Sequence, residues 1–418
     1  MFRESVWPFF GAFVLWCIAF RGFLLDQYPL IEDAISYINN SKYLIDHFLR
    51  GRLPLWTNAF YGMPYDFFLS RLGSNNPLYL LIAGVYAVGL PFVFSYLWVL
   101  SGYYFLGCVG FFMLARRLTG DWLASFLGFL ILYFSSLGTR MFDSFIVRIF
   151  VPLAWFFYFL VAFFQQPSRK NFLGLLFTSM LLVSTYVPFY FGILVILCAV
   201  LFFMLFPRRG AAHVKTLGAF IRKEKVLTAI GVCVLMIALL PGIFLFKSSL
   251  DDEYVMTKRN RNVVAGNSLE VDFDTVDEWA ILEDIAYSVD FSDFRRMKFA
   301  VLYIPIISWV LLFMGLAARF NRRQLFYILL GGVLFVIGIP QDFPLHKFLY
   351  DHFYVFRLFR NLHFFLWWAV LPCFILLLVE QLAALGKEMA CGKFSAAKIC
   401  FITAVHGAAL AGVLYWYK

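Results

Sequence analysis

Long apolar runs alternate with short polar connections along most of this chain. A helix that crosses a bilayer needs about 20 mostly apolar residues. Eleven runs approach or reach that length: 7–25, 94–116, 121–139, 146–165, 171–185, 187–206, 226–246, 299–318, 324–340, 361–385 and 397–417. The pattern predicts an all-α polytopic membrane protein with about 11 transmembrane helices, arranged as a single transmembrane domain over residues 1–418. No small-x-small cleavage site follows the run at 7–25, which predicts an uncleaved first span.

A further apolar segment, 77–91, is shorter and is bracketed by two prolines. Basic residues bear on whether it crosses, because short cytoplasmic loops are rich in Lys and Arg. If 77–91 does not cross, the basic connections all lie on one side: Arg116–Arg117, Arg169–Lys170, Arg208 to Lys225, Arg319 to Arg323 and Lys387 to Lys398. We therefore predict a re-entrant or interfacial helix there, a cytoplasmic N-terminus and an external C-terminus. A crossing segment is the alternative, and it would place Arg116–Arg117 on the acidic side.

Three external segments carry much of the polar sequence and are predicted to form a cap and an active-site face: 26–93, 247–298 and 341–360. Residues 31–50 have helical periodicity, with an apolar face (Ile31, Ile35, Ile38, Ile45 and Leu49) and a polar face (Asp33, Tyr37, Asn40 and His47). This pattern predicts an amphipathic helix that lies along the membrane with its apolar face down. Segment 247–298 mixes charges with apolar residues, which is typical of a small folded cap; a solvated loop is the alternative.

The composition agrees with a bilayer environment. Hydrophobic residues make up 62% of the chain and charged residues 14%, whereas soluble domains have about 25% charged residues. The net charge of +10 arises from the basic connections, so we interpret it as a topology signal and predict no nucleic-acid partner. The seven cysteines form no CxxC or Cys/His cluster, so the sequence indicates no metal site. The sequence contains no nucleotide-binding, metalloprotease or serine-hydrolase motif in a suitable context.

Polar residues next to the predicted membrane surface are the candidates for chemistry. Asp33 follows the first span, where a carboxylate can act as a general base toward a hydroxyl acceptor. The alternative for Asp33 is structural, because the partial positive charge of a helix N-terminus favours Asp there without any catalytic role. Arg357 and Arg360 are three positions apart, and paired guanidinium groups suit a lipid phosphate. The alternative for these two is interfacial anchoring beside Trp367 and Trp368.

Three charged residues fall within or near predicted spans, namely Arg21, Arg148 and Glu380. Charge inside a bilayer is expensive and often functional. The simpler interpretation is that each side chain extends to the nearer membrane surface.

The first external segment also contains a specific run of residues. It reads Asp33, Tyr37, Leu49-Arg50-Gly51-Arg52-Leu53-Pro54-Leu55-Trp56-Thr57-Asn58, Gly62-Met63-Pro64 and Asn76-Pro77-Leu78-Tyr79. This run resembles the YfhO-like family of bacterial membrane proteins, which belongs with the GT-C class of membrane glycosyltransferases. Weaker matches are Ser184-Thr185-Tyr186 with Phe189-Tyr190-Phe191, and Phe356-Arg357-Leu358-Phe359-Arg360. The order of spans and loops resembles that of the family over most of the chain, whereas the specific sequence match is confined to 33–79.

The resemblance implies a concrete activity, transfer of a sugar from a polyprenyl-phosphate donor to a cell-envelope acceptor on the external face. The acceptor is a glycan, a lipid or a protein. By this resemblance Asp33 is the acceptor-activating base or a metal-site carboxylate, and Arg357 and Arg360 hold the donor phosphate. The candidate substrate-binding residues are Tyr37, Trp56, Asn58 and His363. A divalent metal cofactor is left open, and nothing in the residues requires one.

The same resemblance places the chain in the bacterial cytoplasmic (inner) membrane, among membrane lipids. Two other functions are left open by the residues themselves. An enzyme of the O-antigen ligase or polymerase type would use 247–298 and 341–360 instead of Asp33. A transporter or flippase of lipid-linked saccharide would do no covalent chemistry. Transporters bury polar groups at mid-bilayer or have paired broken helices, and the sequence shows few such groups.

Overall fold

The computed structural model describes residues 6–26, 33–52, 56–57, 63–64, 76–139, 144–184, 188–250, 306–315, 320–338, 348–349, 352–353, 365–391, 400–401, 403–405 and 407–408. Within these ranges the regular structure is helical apart from one short antiparallel pairing. In that pairing strand β1 (Trp56–Thr57) lies beside strand β2 (Met63–Pro64), with Trp56 opposite Pro64.

Most helices begin and end at the polar connections that the hydropathy pattern indicates. Up to residue 250 they are α1 (Trp7–Ala19), α2 (Arg21–Leu24), α3 (Asp33–Leu49), α4 (Leu78–Ala87), α5 (Phe92–Thr119), α6 (Trp122–Tyr133), α7 (Ser136–Thr139), α8 (Ser144–Gln165), α9 (Arg169–Val183), α10 (Pro188–Leu205), α11 (Pro207–Lys223) and α12 (Lys225–Leu250). Beyond residue 305 they are α13 (Ile306–Gly315), α14 (Arg322–Gly338), a π-helical turn (Leu366–Val370) and α15 (Leu371–Ala390).

Three of the described helical segments are long and apolar enough to cross a membrane: Phe92–Thr119, Ile146–Gln165 and Trp368–Ala390. Helices of this length and composition confirm the predicted class, a helical membrane protein. Shorter apolar helices accompany them, at Trp7–Ala19, Leu78–Ala87, Trp122–Tyr133, Phe191–Leu205 and Lys225–Leu240. The predicted spans 94–116 and 146–165 coincide with α5 and α8.

Some predicted spans are interrupted in the structure. The run 7–25 is divided at Phe20, whose backbone (φ −99°, ψ 13°) is not helical, so α1 ends there and the short α2 begins. The run 121–139 is divided in the same way after Tyr133, where Phe134 adopts φ −103° and ψ 15°. Hydropathy alone cannot detect such breaks, because apolar residues continue through them.

Helix α3 has nearly the predicted extent, and its buried side overlaps the predicted apolar face at Ile38 and Ile45. Ile38, Ser41, Leu44 and Ile45 are buried, and so is Asn40 from the predicted polar face. Ile35 and Leu49, from the predicted apolar face, are exposed. The reason is that α3 packs against α4 and α8, so neighbouring helices select the buried side.

Helix α4 occupies the segment that was predicted to be re-entrant or interfacial. Its 10 residues make a helix about 15 Å long, which is short of the ~30 Å hydrocarbon core. Gly89 follows it with φ 102°, a conformation that side chains other than glycine rarely adopt. The helix therefore ends in a turn before α5 begins at Phe92.

The chain forms two compact units. One comprises Met1–Phe111, Arg140–Phe191 and Lys223–Ser248, and the other Phe112–Thr139, Gly192–Arg222 and Ser249–Lys418. In the core of the first, Trp16 stacks on Phe20 at 4.3 Å between ring centroids, and Tyr104 lies between Trp16 and Phe150. In the second, α15 packs against α6, α13 and α14.

Candidate functional site

The predicted site residues differ in how much of them the structure describes. Asp33 is the first residue of α3, and Trp56 pairs through its backbone in β1. The side chain of Tyr37 is described as well, and it is half-buried. Asn58, Arg357, Arg360 and His363 lie outside the described residues. Within the described residues, the candidate site therefore centres on Tyr37 and its neighbours in the first compact unit.

The local sequence explains where α3 begins and ends. An acidic residue in the first turn is favoured by the partial positive charge of a helix N-terminus, and Asp33 stands there. At the other end, Gly51 adopts φ 66°, its N–H donates to the carbonyl of Phe48, and the N–H of Arg52 donates to that of His47. These are the two hydrogen bonds of a Schellman motif. Positions 33 and 37 are four residues apart, so they share a face of the helix.

The ring of Tyr37 faces a buried cation. Arg148, on α8, is only 3% exposed, and its guanidinium carbon lies 5.4 Å from the centroid of the Tyr37 ring. Its Nη1 donates a hydrogen bond of 2.9 Å to the hydroxyl of Tyr79, on α4. The interpretation that Arg148 extends to the membrane surface is therefore wrong. The side chain instead joins α3, α4 and α8, because it reaches an aromatic partner on each of the other two helices.

Other buried polar groups surround this guanidinium. Asn76 and Tyr103 are buried side chains next to each other, and Tyr96 lies close to Arg148. The Oδ1 atom of Asn76 accepts a hydrogen bond of 3.0 Å from the backbone N–H of Leu78, which forms an Asx turn immediately before α4. The amide of Asn76 and the hydroxyl of Tyr103 can both donate. A fixed positive charge among such donors suits an anionic oxygen, such as that of a carboxylate or a phosphate.

A second polar cluster lies in the second compact unit. Arg323, at the start of α14, donates a hydrogen bond of 2.7 Å to the carbonyl of Leu118 and lies 3.6 Å from the carboxylate of Glu380. Lys387 donates to the carbonyl of Thr119 at 3.4 Å. Both cations thus satisfy carbonyls in the last turn of α5, where cations are favoured by the helix dipole. Glu380 is paired with Arg323 of a basic connection, a partner that the sequence did not predict.

Metal binding has no support within the described part of the chain, where no group of three or more His, Cys, Asp or Glu residues could hold an ion. In the comparisons with known proteins, no family model and no curated protein matches this chain. The resemblance to the YfhO-like family therefore stays a prediction.

Sequence reasoning missed the central position of Arg148. Two signals were available: an arginine inside an apolar run is expensive, and Asn76 and Tyr79 close the run of residues that carries the resemblance. Neither signal says that these residues meet, because Tyr79 and Arg148 are 69 positions apart. Only the packing of α4 and α8 brings them together.

Proposed function

We propose that the protein is a membrane glycosyltransferase of the GT-C type. It transfers a sugar from a polyprenyl-phosphate donor to a cell-envelope acceptor on the external face of the bacterial cytoplasmic membrane. The observation that supports this most is the contact of Tyr37 with the buried Arg148. It fixes the helix that begins with Asp33 against two other helices of its unit.

The proposed chemistry needs a base in a fixed position. The Asp33 carboxylate takes the proton of the acceptor hydroxyl as that oxygen forms a bond to the anomeric carbon. The bond from this carbon to the phosphate oxygen breaks, and polyprenyl phosphate leaves with the electron pair. Because phosphate leaves readily, orientation and charge stabilisation carry most of the catalysis. A helix held by a buried, hydrogen-bonded arginine supplies such orientation.

Each candidate residue has a role in this proposal. Arg148 is a positioning residue, which acts on Asp33 through α3. Arg357 and Arg360 bind the donor phosphate, for which the guanidinium fork is well suited. The substrate contacts come from Tyr37, Trp56, Asn58 and His363.

The proposed topology has 11 spans, a re-entrant or interfacial α4, a cytoplasmic N-terminus and an external C-terminus. Contacts between the basic connections support it. In one unit, Arg323 and Lys387 both reach the end of α5, which carries Arg116 and Arg117. In the other unit, Arg169 pairs with Glu224 at 3.0 Å, which joins the connection before α9 to the one before α12. Connections that share a membrane side are expected to meet in this way.

The test uses full-length protein in liposomes that contain a radiolabelled polyprenyl-phosphate sugar, with a cell-envelope extract as acceptor. The proposal predicts that label leaves the lipid donor and appears on an acceptor. Arg357→Ala is expected to lose this transfer, whereas the matched control Arg169→Ala, at an exposed ion pair, is expected to keep it.

The other candidate functions give different results in the same assay. Label that crosses the bilayer while still attached to its intact lipid donor would show a transporter and contradict the proposal. Transfer that survives Asp33→Asn but fails when residues within 247–298 are changed would indicate a ligase or polymerase instead.

A further inference from the structure

Helix α11 has a surface that the proposed transferase activity does not use. The stretch from Arg208 to Lys225 was predicted to be a basic connection, but residues Pro207–Lys223 form a helix about 25 Å long. It is not among the candidate membrane spans. The sequence of α11 contains no Asp or Glu. Its charge is therefore of one sign along its whole length.

One side of α11 packs on the protein. Gly210 and Phe220 are buried, and a Cβ atom at position 210 would lie 2.5 Å from the ring of Phe203. The ring of His213 stacks on that of Phe202, with 5.5 Å between centroids and 13° between planes. These contacts hold the first half of α11 against the end of α10, so the orientation of the helix is fixed.

Beyond Gly210, an exposed apolar stripe continues along the same face of α11. Val214, Leu217 and Ile221 are 56%, 37% and 40% exposed. They are spaced by three and four residues, so they lie on one face of the helix. Apolar side chains in such a row are costly in water. A medium that covers them is therefore expected.

Basic side chains flank this stripe. Arg208, Lys215 and Arg222 are seven residues apart and form one exposed row, and Arg209 and Lys223 are exposed as well. A helix with an apolar stripe beside a basic row is typical of helices that lie in the membrane interface. The negative headgroups of anionic lipids complement the positive charge, whereas a zwitterionic surface offers no net attraction.

We propose that α11 binds anionic phospholipid headgroups, with Val214, Leu217 and Ile221 inserted at the acyl boundary and the Arg208–Lys215–Arg222 row at the phosphates. This interaction anchors α11 at the membrane surface. It makes the order of the helix depend on the lipid charge, independently of any sugar transfer.

The test is hydrogen–deuterium exchange of the full-length protein in nanodiscs of phosphatidylglycerol or of phosphatidylcholine. Amides of α11 are expected to exchange at least about fivefold more slowly in the anionic discs, since one Lys or Arg near an anionic surface contributes about 1 kcal/mol. The combined variant Arg208→Gln, Lys215→Gln, Arg222→Gln should lose the difference. Addition of 1 M salt should also abolish the difference in exchange between the two lipids, because it shortens the electrostatic screening length to about 3 Å.

A matched control removes the same charge elsewhere, by Lys42→Gln, Arg50→Gln and Arg52→Gln, all at exposed positions. This control is expected to keep the slower exchange of α11 in anionic discs. Leu217→Ser should raise the exchange of α11 in both kinds of disc. Equal exchange of the wild type in the two lipids would overturn the proposal and indicate a soluble protein partner for the stripe. A lipid difference that persists in the triple glutamine variant would also overturn it.

Discussion

The guanidinium of Arg148 donates a hydrogen bond of 2.9 Å to the hydroxyl of Tyr79. This bond joins α8 to α4 where both side chains are buried. A buried charge is tolerated when it is hydrogen-bonded, and removal of its partner is then costly. The pair is therefore expected to contribute to the stability of the first compact unit as well as to its function.

Tyr79→Phe removes the acceptor for Arg148 Nη1 and keeps the ring. We expect a loss of about 1–3 kcal/mol, because a hydrogen bond of a buried charged group is left unmade. Thermal unfolding of the purified protein in detergent measures this loss. Tyr37→Phe is the matched control. It keeps the ring that faces the guanidinium, so the loss should be clearly smaller, and equal losses for the two variants would contradict the assigned contacts.

Arg323→Ala removes the ion pair with Glu380 in the second compact unit. The carboxylate is only 12% exposed, but the arginine is 41% exposed, so solvent screening weakens the pair. We expect a loss of about 1–2 kcal/mol of stability, mostly from the partners left unsatisfied. The neighbouring exposed residue Arg322 provides the control, since Arg322→Ala should change the unfolding temperature little. Equal effects at both positions would show that the pair does not stabilise the fold.

Gly110→Ala tests the close approach of α5 to α8. A Cβ atom at position 110 would lie 2.8 Å from Nε1 of Trp155, and that nitrogen already donates to the carbonyl of Leu106 at 3.0 Å. We expect a loss of about 1–3 kcal/mol from overpacking. Gly102 is on the same helix with nothing within 4 Å of the added Cβ, so Gly102→Ala should instead stabilise by up to about 1 kcal/mol. Unfolding temperatures that fall together would contradict the packing of these helices.

His213 predicts a dependence of stability on pH. Desolvation by burial, followed by the charge of Arg209, holds the pKa of this imidazole below its usual value of 6.5. The folded state therefore favours the neutral ring, and the unfolded state binds the proton more readily. The contribution of the neutral His213 ring to stability is fully present above about pH 6.5. It is lost as the pH falls through the lowered pKa of this ring.

His213→Phe keeps a ring that can stack on Phe202 and removes the titrating group. The variant is expected to lose less stability than the wild type between pH 7.5 and pH 5.5, measured as the fall in unfolding temperature. Parallel curves for the two proteins would show that another group causes the acid sensitivity.

The amount that the sequence could predict differs between elements. The apolar runs identified α5 and α8 because length and composition decide which helices can span a bilayer. The breaks at Phe20 and Phe134 could not be predicted, since the same apolar residues fit continuous or interrupted helices. Helix α11 was missed because its basic residues were interpreted as loop charges, although Val214, Leu217 and Ile221 already show helical spacing.

For the candidate site, the sequence indicated the helix that begins at Asp33 but not what holds it. Hydrophobic periodicity predicts which side of a helix is apolar, whereas the buried side depends on the neighbouring helices. Asn40 became buried and Ile35 exposed for this reason. The contact of Arg148 with Tyr37 and Tyr79 depends on tertiary packing between distant segments. A local pattern carries no information about such packing.

The most direct test of the central claim is the initial rate of sugar transfer from the radiolabelled polyprenyl-phosphate donor by Asp33→Asn. Removal of a general base is expected to lower this rate by about a hundredfold or more, with donor binding largely retained. Asp46→Asn, on the same helix and paired with Lys42, should keep a rate near that of the wild type. Transfer by Asp33→Asn at the wild-type rate would contradict the proposed role of Asp33.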